Sequence, residues 1–350
     1  MHSPANASAV PLREQRIALA LVLLLAAALP FFLSNYRVFQ LTLVLAYSIV
    51  LLGLNMLTGY NGQISLGHGA FMAVGAYTTA ILISDQGLSI GGHTFANDLK
   101  DVWTIPLAAL VAGIAGFLFG VPALRLSGLY LALATFAIAV SAPAVFKKFE
   151  TFTGGGTGIN LFGIKGLTGS ISGVHVFGHK LAFYDWLYYL SWTIALVLLA
   201  VAWFLLRGRI GRAFRAVRDS ESAAASSGVS LATYKTLAFA ISAAYAGVAG
   251  ALYAIANTYV NPDTFPITLS IFLLVGLVVG GLGTLSGLIV GAVLVQFLPL
   301  WSQEVSKSPG APAVVYGVIL IAIMLALPGG VAGLLRRVRP LARRLYTRPR

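Results

Sequence analysis

The 350-residue sequence has no cysteine and very few charged residues. Without cysteine there is no disulfide, no thiolate metal site and no cysteine nucleophile. Charged residues make up 9% of the chain, whereas a soluble domain carries about a quarter. No Gly-x4-Gly-Lys-Ser/Thr loop occurs, nor any Gly-Lys dipeptide, so a P-loop ATPase within this chain is excluded. What fills the sequence instead is hydrocarbon: 58% of residues are hydrophobic and the mean hydropathy is +0.89. Soluble folds, disordered tails and secreted disulfide scaffolds are ruled out, leaving a polytopic all-α membrane protein.

A membrane helix needs about 20 apolar residues to cross about 30 Å of hydrocarbon. A charge at its centre costs roughly 2.5–3.5 kcal/mol, so the charge-free windows mark the spans. Ile17–Tyr36 is one, and Val38–Ser84 holds two joined by the turn Thr58–Gly62. Val102–Leu124, Leu126–Phe146, Trp186–Leu206 and Thr236–Pro262 give one each. Thr264–Gln303 holds two, broken near Gly280-Gly281-Leu282-Gly283, and Ser308–Leu335 is the last. The windows predict ten spans with both termini on one side.

The charge distribution orients them. With the N-terminus inside, the inner segments carry sixteen basic and three acidic residues, and the outer loops carry seven of each. All of the net +13 therefore sits on one face, as the excess of Lys and Arg on cytoplasmic loops requires. Residues 1–16 are expected to be a cytoplasmic N-terminal segment and 17–335 the transmembrane domain, with an inner loop at 207–235. The basic tail 336–350 reads as an orientation and anionic-lipid feature rather than a nucleic-acid arm. Ala26-Ala27-Ala28 offers a signal-cleavage site, but Pro30 and the continuing apolar run favour an uncleaved span.

Every charged residue is expected in a loop, and apart from tyrosines His68 is the one ionisable group near a span. Proton relays and ion pumps usually carry ionisable groups within the membrane, so that class loses ground, while a sodium-coupled carrier using backbone carbonyls stays open. Ser65 and Ser286 lie among glycines without the Gly-x-Ser-x-Gly spacing of a nucleophile elbow. Ser65 and His68 could share a helix face at i, i+3, with no third orienting group in view. A packing role for small residues outweighs hydrolysis. No catalytic residue, metal or bound cofactor is expected.

Three segments carry more information. In Thr58–Phe71, glycines and polar residues gather where an apolar helix should begin. Broken backbone is tolerated at membrane depth only inside protein or beside a water-filled path, so this segment is either pore-lining or a tight turn. In the inner loop, Gly211–Arg218 could form one basic turn. Asp219 or Ser220 then caps a helix of about eight residues with Glu221 in its first turn, ending at Gly228, and this resembles a docking piece. On the outer side, Thr153–Gly158 reads as a flexible loop. Gly116-x3-Gly120, Gly247-x2-Gly250 and Gly283-x3-Gly287-x3-Gly291 place small residues for close helix packing.

Taken together, Gly59–Phe71, Arg125–Ala132, Thr153–Gly158, Gly211–Glu221 and Gly280–Thr284 resemble the permease subunits of branched-chain amino-acid ABC importers, specifically the M-type (LivM-like) subunit. The match runs nearly end to end, and the Arg125 segment favours the M-type over its sister H-type. The resemblance implies the type II importer fold, with two different permeases around a central path. It also implies two cytoplasmic ATPases and a periplasmic binding protein, in a bacterial inner membrane. Asp219–Gly228 would be the coupling helix in an ATPase cleft, with Arg215, Arg218, Asp219, Glu221 and Gly228 as coupling residues. Gln63, Ser65 and His68 would lie near the path. Where the family often has a second acidic residue in the coupling helix, this chain has Ala225-Ser226-Ser227.

The nearest internal echo, Gly62–Gly67 against Gly283–Gly287, lies six spans apart. An inverted repeat needs an odd offset, so the echo does not support one. The implied function is ATP-driven uptake of leucine, isoleucine, valine or similar amino acids by alternating access. A urea or short-amide importer is the close alternative, because a charge-free path suits any neutral solute or zwitterion. An ion-coupled carrier or a channel is the alternative of another class.

Overall fold

The computed structural model describes residues 27–84, 88–90, 93–95, 101–126, 128–162, 175–176, 179–180 and 182–305, with scattered positions between 314 and 333. Of the ten expected spans, the first is described only from residue 27 onward and the last has only scattered described positions. The N-terminal segment 1–16 and the basic tail 336–350 also lie outside them.

The windows between become helices. Helix α1 (Asn35–Leu54) runs directly into a π-helical turn, Asn55–Tyr60. Then follow α2 (His68–Ile83), α3 (Asp101–Ala123), α4 (Leu129–Lys148) and the single turn α5 (Glu150–Thr153). The second half comprises α6 (Phe183–Arg207), α7 (Arg209–Asp219), α8 (Glu221–Ser226), α9 (Leu231–Asn257), α10 (Ile267–Gly280) and α11 (Leu288–Val305). Among the described residues six helices are long and apolar enough to cross a membrane, and α2 and most of α11 are shorter apolar helices. At a rise of about 1.5 Å per residue, the 27 residues of α9 measure about 40 Å, enough to cross with some tilt.

Helix α9 sits at the centre, against α1, α2 and α3. It can do so because of its small residues. A Cβ on Gly250 would fall 1.9 Å from the Met72 carbonyl oxygen, and one on Gly75 would fall 2.2 Å from that of Gly247. A Cβ on Gly116 would meet that of Ala243 at 2.3 Å. In lipid, where burying apolar surface between helices gains little, such backbone approach is what holds a bundle together. By contrast, α4 and α6 turn large apolar side chains outward, among them Tyr130, Phe136, Val197 and Phe204.

The structure corrects three expectations. The turn at Thr58–Gly62 is not where the first pair of helices breaks: helix continues through Tyr60, and the break is Asn61–Gly67. Lys235, expected at the end of a loop, lies in the second turn of α9 and is buried. The glycine run on the outer side is a built turn rather than a free loop. Gly154, Gly155 and Gly158 all have positive φ, and Ile159–Asn160 pairs antiparallel with Tyr259–Val260. The Tyr259 hydroxyl donates to the Thr157 carbonyl oxygen at 2.6 Å, and Lys147 and Asp263 form an ion pair at 2.7 Å.

Candidate functional site: the interrupted helix and the loop 207–235

The interruption begins with an extra residue per turn. The Asn61 amide donates to the Met56 carbonyl oxygen and that of Gln63 to Leu57, at 3.1 Å each. Wider turns of this kind gather at functional sites. Asn55, fully buried at the start of the π-turn, accepts from the Gly283 amide at 2.9 Å and donates to the Thr284 carbonyl oxygen at 2.7 Å. Its amide thus pairs backbone groups in the break between α10 and α11. A Cβ on Gly59 would lie 2.5 Å from the Gly283 nitrogen, so the two glycine segments touch.

Past Gly62, which has φ +82°, the chain runs without regular structure to Gly67. The first amides of a helix have no partner within it, and here side chains from other helices supply them. Thr135 of α4 accepts from the Leu66 amide at 2.9 Å, and Ser270 of α10 accepts from the Gly69 amide at 3.0 Å. Ser65 Oγ accepts from the Gly67 amide at 3.3 Å and lies 3.2 Å from His68 Nδ1. Ser65 and His68 therefore meet, but in the bend before α2 rather than on a helix face. Both are buried, and His68 Nε2 has no hydrogen-bond partner. With no carboxylate to orient the imidazole, the pair lacks the third member of a hydrolytic triad.

Gln63 lines the same cavity as the loop residues Arg218, Asp219 and Glu221. Its Nε2 donates to Asn61 Oδ1 and, at 3.4 Å, to the Lys235 carbonyl oxygen. Thr58 Oγ1 donates to the Gln63 carbonyl oxygen at 2.9 Å. Ile64 is exposed between the buried Gln63 and Ser65.

The loop is more ordered than one basic turn. Residues Arg209–Asp219 make three turns of helix, with Gly211, Ala213, Phe214 and Val217 buried. That spacing is the apolar stripe of an amphipathic surface helix. Arg215 donates to the Leu206 carbonyl oxygen at 3.3 Å, satisfying an orphan group at the end of α6. Arg218 spans two partners: Nη1 donates to the Gly59 carbonyl oxygen at 2.9 Å, while Nε and Nη2 hold Asp219 Oδ1 at 3.2 and 3.1 Å.

The expected short helix is present. Ser220 is its cap, its Oγ accepting from the Ala223 amide at 3.3 Å. At the other end, Gly228 has φ +81°. The Gly228 amide donates to Ala225 and that of Val229 to Ala224, both at 3.0 Å, the paired bonds of a Schellman motif. Glu221 Oε1 meets Lys235 Nζ at 2.7 Å. A cavity of about 280 Å³ opens between the loop and the interrupted segment, lined by Asn61, Gln63, Arg218, Asp219, Glu221 and Lys235 among others.

Arg218, Asp219 and Glu221 are thus brought together with Gln63, while Arg215 is turned to the end of α6, Gly228 lies at the far end of α8, and Ser65 and His68 sit at the start of α2. Asn55, Thr135, Ser270 and Lys235 were missed. Asn55 alone left a trace in the sequence, as a lone amide within an apolar run. The sequence profile described as "Branched-chain amino acid transport system / permease component" matches residues 36–327. The chain belongs to this permease family. It is 37% identical over 297 residues to the high-affinity branched-chain amino acid transport system permease protein LivM of Salmonella typhimurium, covering 80% of this chain and 67% of the relative. LivM of Escherichia coli is similar to the same extent. Similarity to the LivH permease protein of Escherichia coli is lower, 24% over 303 residues, covering 83% of this chain and 92% of the relative. No solved structure matches the chain significantly. As in other members of this permease family, its helices are those of a multi-pass membrane protein.

Proposed function

We propose that this chain is the membrane-spanning, M-type permease subunit of an ATP-driven importer that takes up branched-chain amino acids by alternating access. It works beside an H-type permease, two cytoplasmic ATPases and a periplasmic binding protein, in a bacterial inner membrane. The chain itself hydrolyses nothing and binds no cofactor.

The observation that carries this reading is the physical link between the loop and the break. Helix α8 is the coupling helix, and its surface of Ala223, Ala225, Ser226 and Ser227 is small enough to seat in a cleft. Motion imposed there reaches the interrupted segment through Arg218 and the Gly59 carbonyl, and through Lys235 and Gln63. Arg215 ties the same loop to the end of α6. The segment carrying Gln63, Ser65 and His68 borders the path: Ile64 faces outward, while Ser65 and His68 fix the start of α2. Passage of a zwitterion past such a weakly polar wall needs no fixed charge.

The test is uptake of labelled leucine and labelled urea by source cells with and without this gene, its chromosomal neighbours kept. Loss of leucine uptake alone supports the proposal. Loss of urea uptake with leucine intact keeps the importer but overturns the substrate. Failure of the purified chain to bind any ATPase partner points to a carrier or channel instead.

A further inference from the structure

Glu221, the one acidic residue in α8, is turned toward its own chain. We propose that the Glu221–Lys235 ion pair is a permanent strut: it makes α8 and the cytoplasmic end of α9 one rigid body, and through Lys235 passes motion to Gln63. This rests on the importer reading above.

Three observations carry it. First, the two sides of the pair differ in burial: the Lys235 side chain is 7% exposed and that of Glu221 48%. An ammonium removed from water is tolerated only with its partner in place, and removing one member of a buried pair is far more damaging than the pair is stabilising. Asp219, the nearest alternative carboxylate along the loop, is held by both Nε and Nη2 of Arg218. A contact that leaves a buried charge uncompensated is poorly suited to opening in every cycle.

Second, the pair closes a triangle. A six-residue helix joined to α9 at one end could swing about that joint. The Gly228 turn and the Ser230 cap fix the joint, and the ion pair fixes the far end, from the first residue of α8 to the second turn of α9. Third, Lys235 has two contacts in opposite directions. Its ammonium holds the coupling helix, and its carbonyl oxygen accepts from Gln63 in the interruption. Lys235 is therefore a positioning residue.

Glu221→Arg would abolish uptake whether the carboxylate faces the ATPase or Lys235, so a charge swap decides. The complete transporter is reconstituted in proteoliposomes, with leucine uptake and substrate-stimulated ATP hydrolysis both read. Glu221→Gln, which leaves the buried ammonium without its partner, and Lys235→Met, which removes the anchor that holds Glu221, should each lower uptake by about tenfold or more. The swap of Glu221→Lys with Lys235→Glu should restore uptake to within about threefold of wild type, by restoring the pair. A swap as inactive as the single variants, in a complex that still assembles, overturns the strut. So do single variants that transport like wild type.

A second measurement covers variants that fail to assemble. Because the chain has no cysteine, Glu221→Cys with Lys235→Cys can be bridged selectively by a short thiol cross-linker. The strut predicts low uptake before bridging and recovery after it; uptake that stays low once the bridge has formed overturns it. If the wild-type complex takes up neither leucine nor urea and shows no hydrolysis stimulated by either, the importer reading itself falls, before any variant is compared.

Discussion

Arg218 donates from Nη1 to the carbonyl oxygen of Gly59 at 2.9 Å, joining two residues 159 positions apart. The carbonyl lies in the π-turn, and the guanidinium also holds Asp219, the residue before the cap of α8. One planar group therefore holds both Asp219 and the π-turn that precedes the break in the membrane helix. A fork with five donors does this, whereas the point charge of a lysine cannot hold both partners in the same geometry.

Arg218→Lys is accordingly expected to fail. The charged hydrogen bond it gives up is worth about 1.5–3 kcal/mol, and the loss should appear in coupling. In the reconstituted transporter, substrate-stimulated ATPase activity and leucine uptake should both fall by roughly tenfold. A lysine variant with wild-type stimulation would remove Arg218 from the transmission route.

Gly59 and Gly156 make a matched pair for stability. A Cβ at position 59 would lie 2.0 Å from Asn55 Oδ1 and 2.5 Å from the Gly283 nitrogen, whereas at position 156 it would meet nothing within 4 Å. Forced overpacking costs about 1–3 kcal/mol, so Gly59→Ala should lower the melting temperature in detergent while Gly156→Ala leaves it unchanged. Equal melting temperatures would contradict the contact between the π-turn and the Gly280–Thr284 break.

Asn55→Leu should also destabilise. It leaves the Gly283 amide and the Thr284 carbonyl without their side-chain partner, at about 1–3 kcal/mol for each group left unsatisfied. The same melting assay reads it.

Gly228 is needed for its backbone rather than its size, since a Cβ there would meet nothing. At φ +81° asparagine is tolerated better than a β-branched residue. Gly228→Val should therefore impair coupling, and Gly228→Asn should retain most of it, with uptake as the readout. If both variants transport alike, the left-handed cap is not what orders α8.

Ser65 supplies structure instead of chemistry. Its hydroxyl accepts from the Gly67 amide and lies beside His68 Nδ1, so Ser65→Ala should cost about 1 kcal/mol of stability. The wild-type chain should resist labelling by a fluorophosphonate. Stoichiometric labelling at Ser65 would revive a hydrolytic reading.

Charge and hydropathy determined the membrane class and the positions of eight helices seen in the described residues, and local sequence signals established the existence of the short helix α8, with its cap narrowed to Asp219 or Ser220. These are local properties: a span is a run of residues whose burial costs nothing, and a cap is a side chain beside its own backbone. The segment 58–71 also stood out, because glycines and polar residues interrupt an apolar run there, though the sequence left a pore-lining element and a tight turn equally open.

Only the tertiary structure decided what that segment connects. Asn55 with Gly283, Ser270 with Gly69, Arg218 with Gly59 and Lys235 with Glu221 are pairings across 14 to more than 200 residues. Any of several polar partners could satisfy each group, and the choice among them is made by how helices cross, which glycine contacts along α9 set. Lys235 shows the limit most directly. In sequence it is a basic residue closing a basic loop, and its burial follows from the packing of α9, the cap at Ser230 and the one carboxylate that the turn at Gly228 brings within reach.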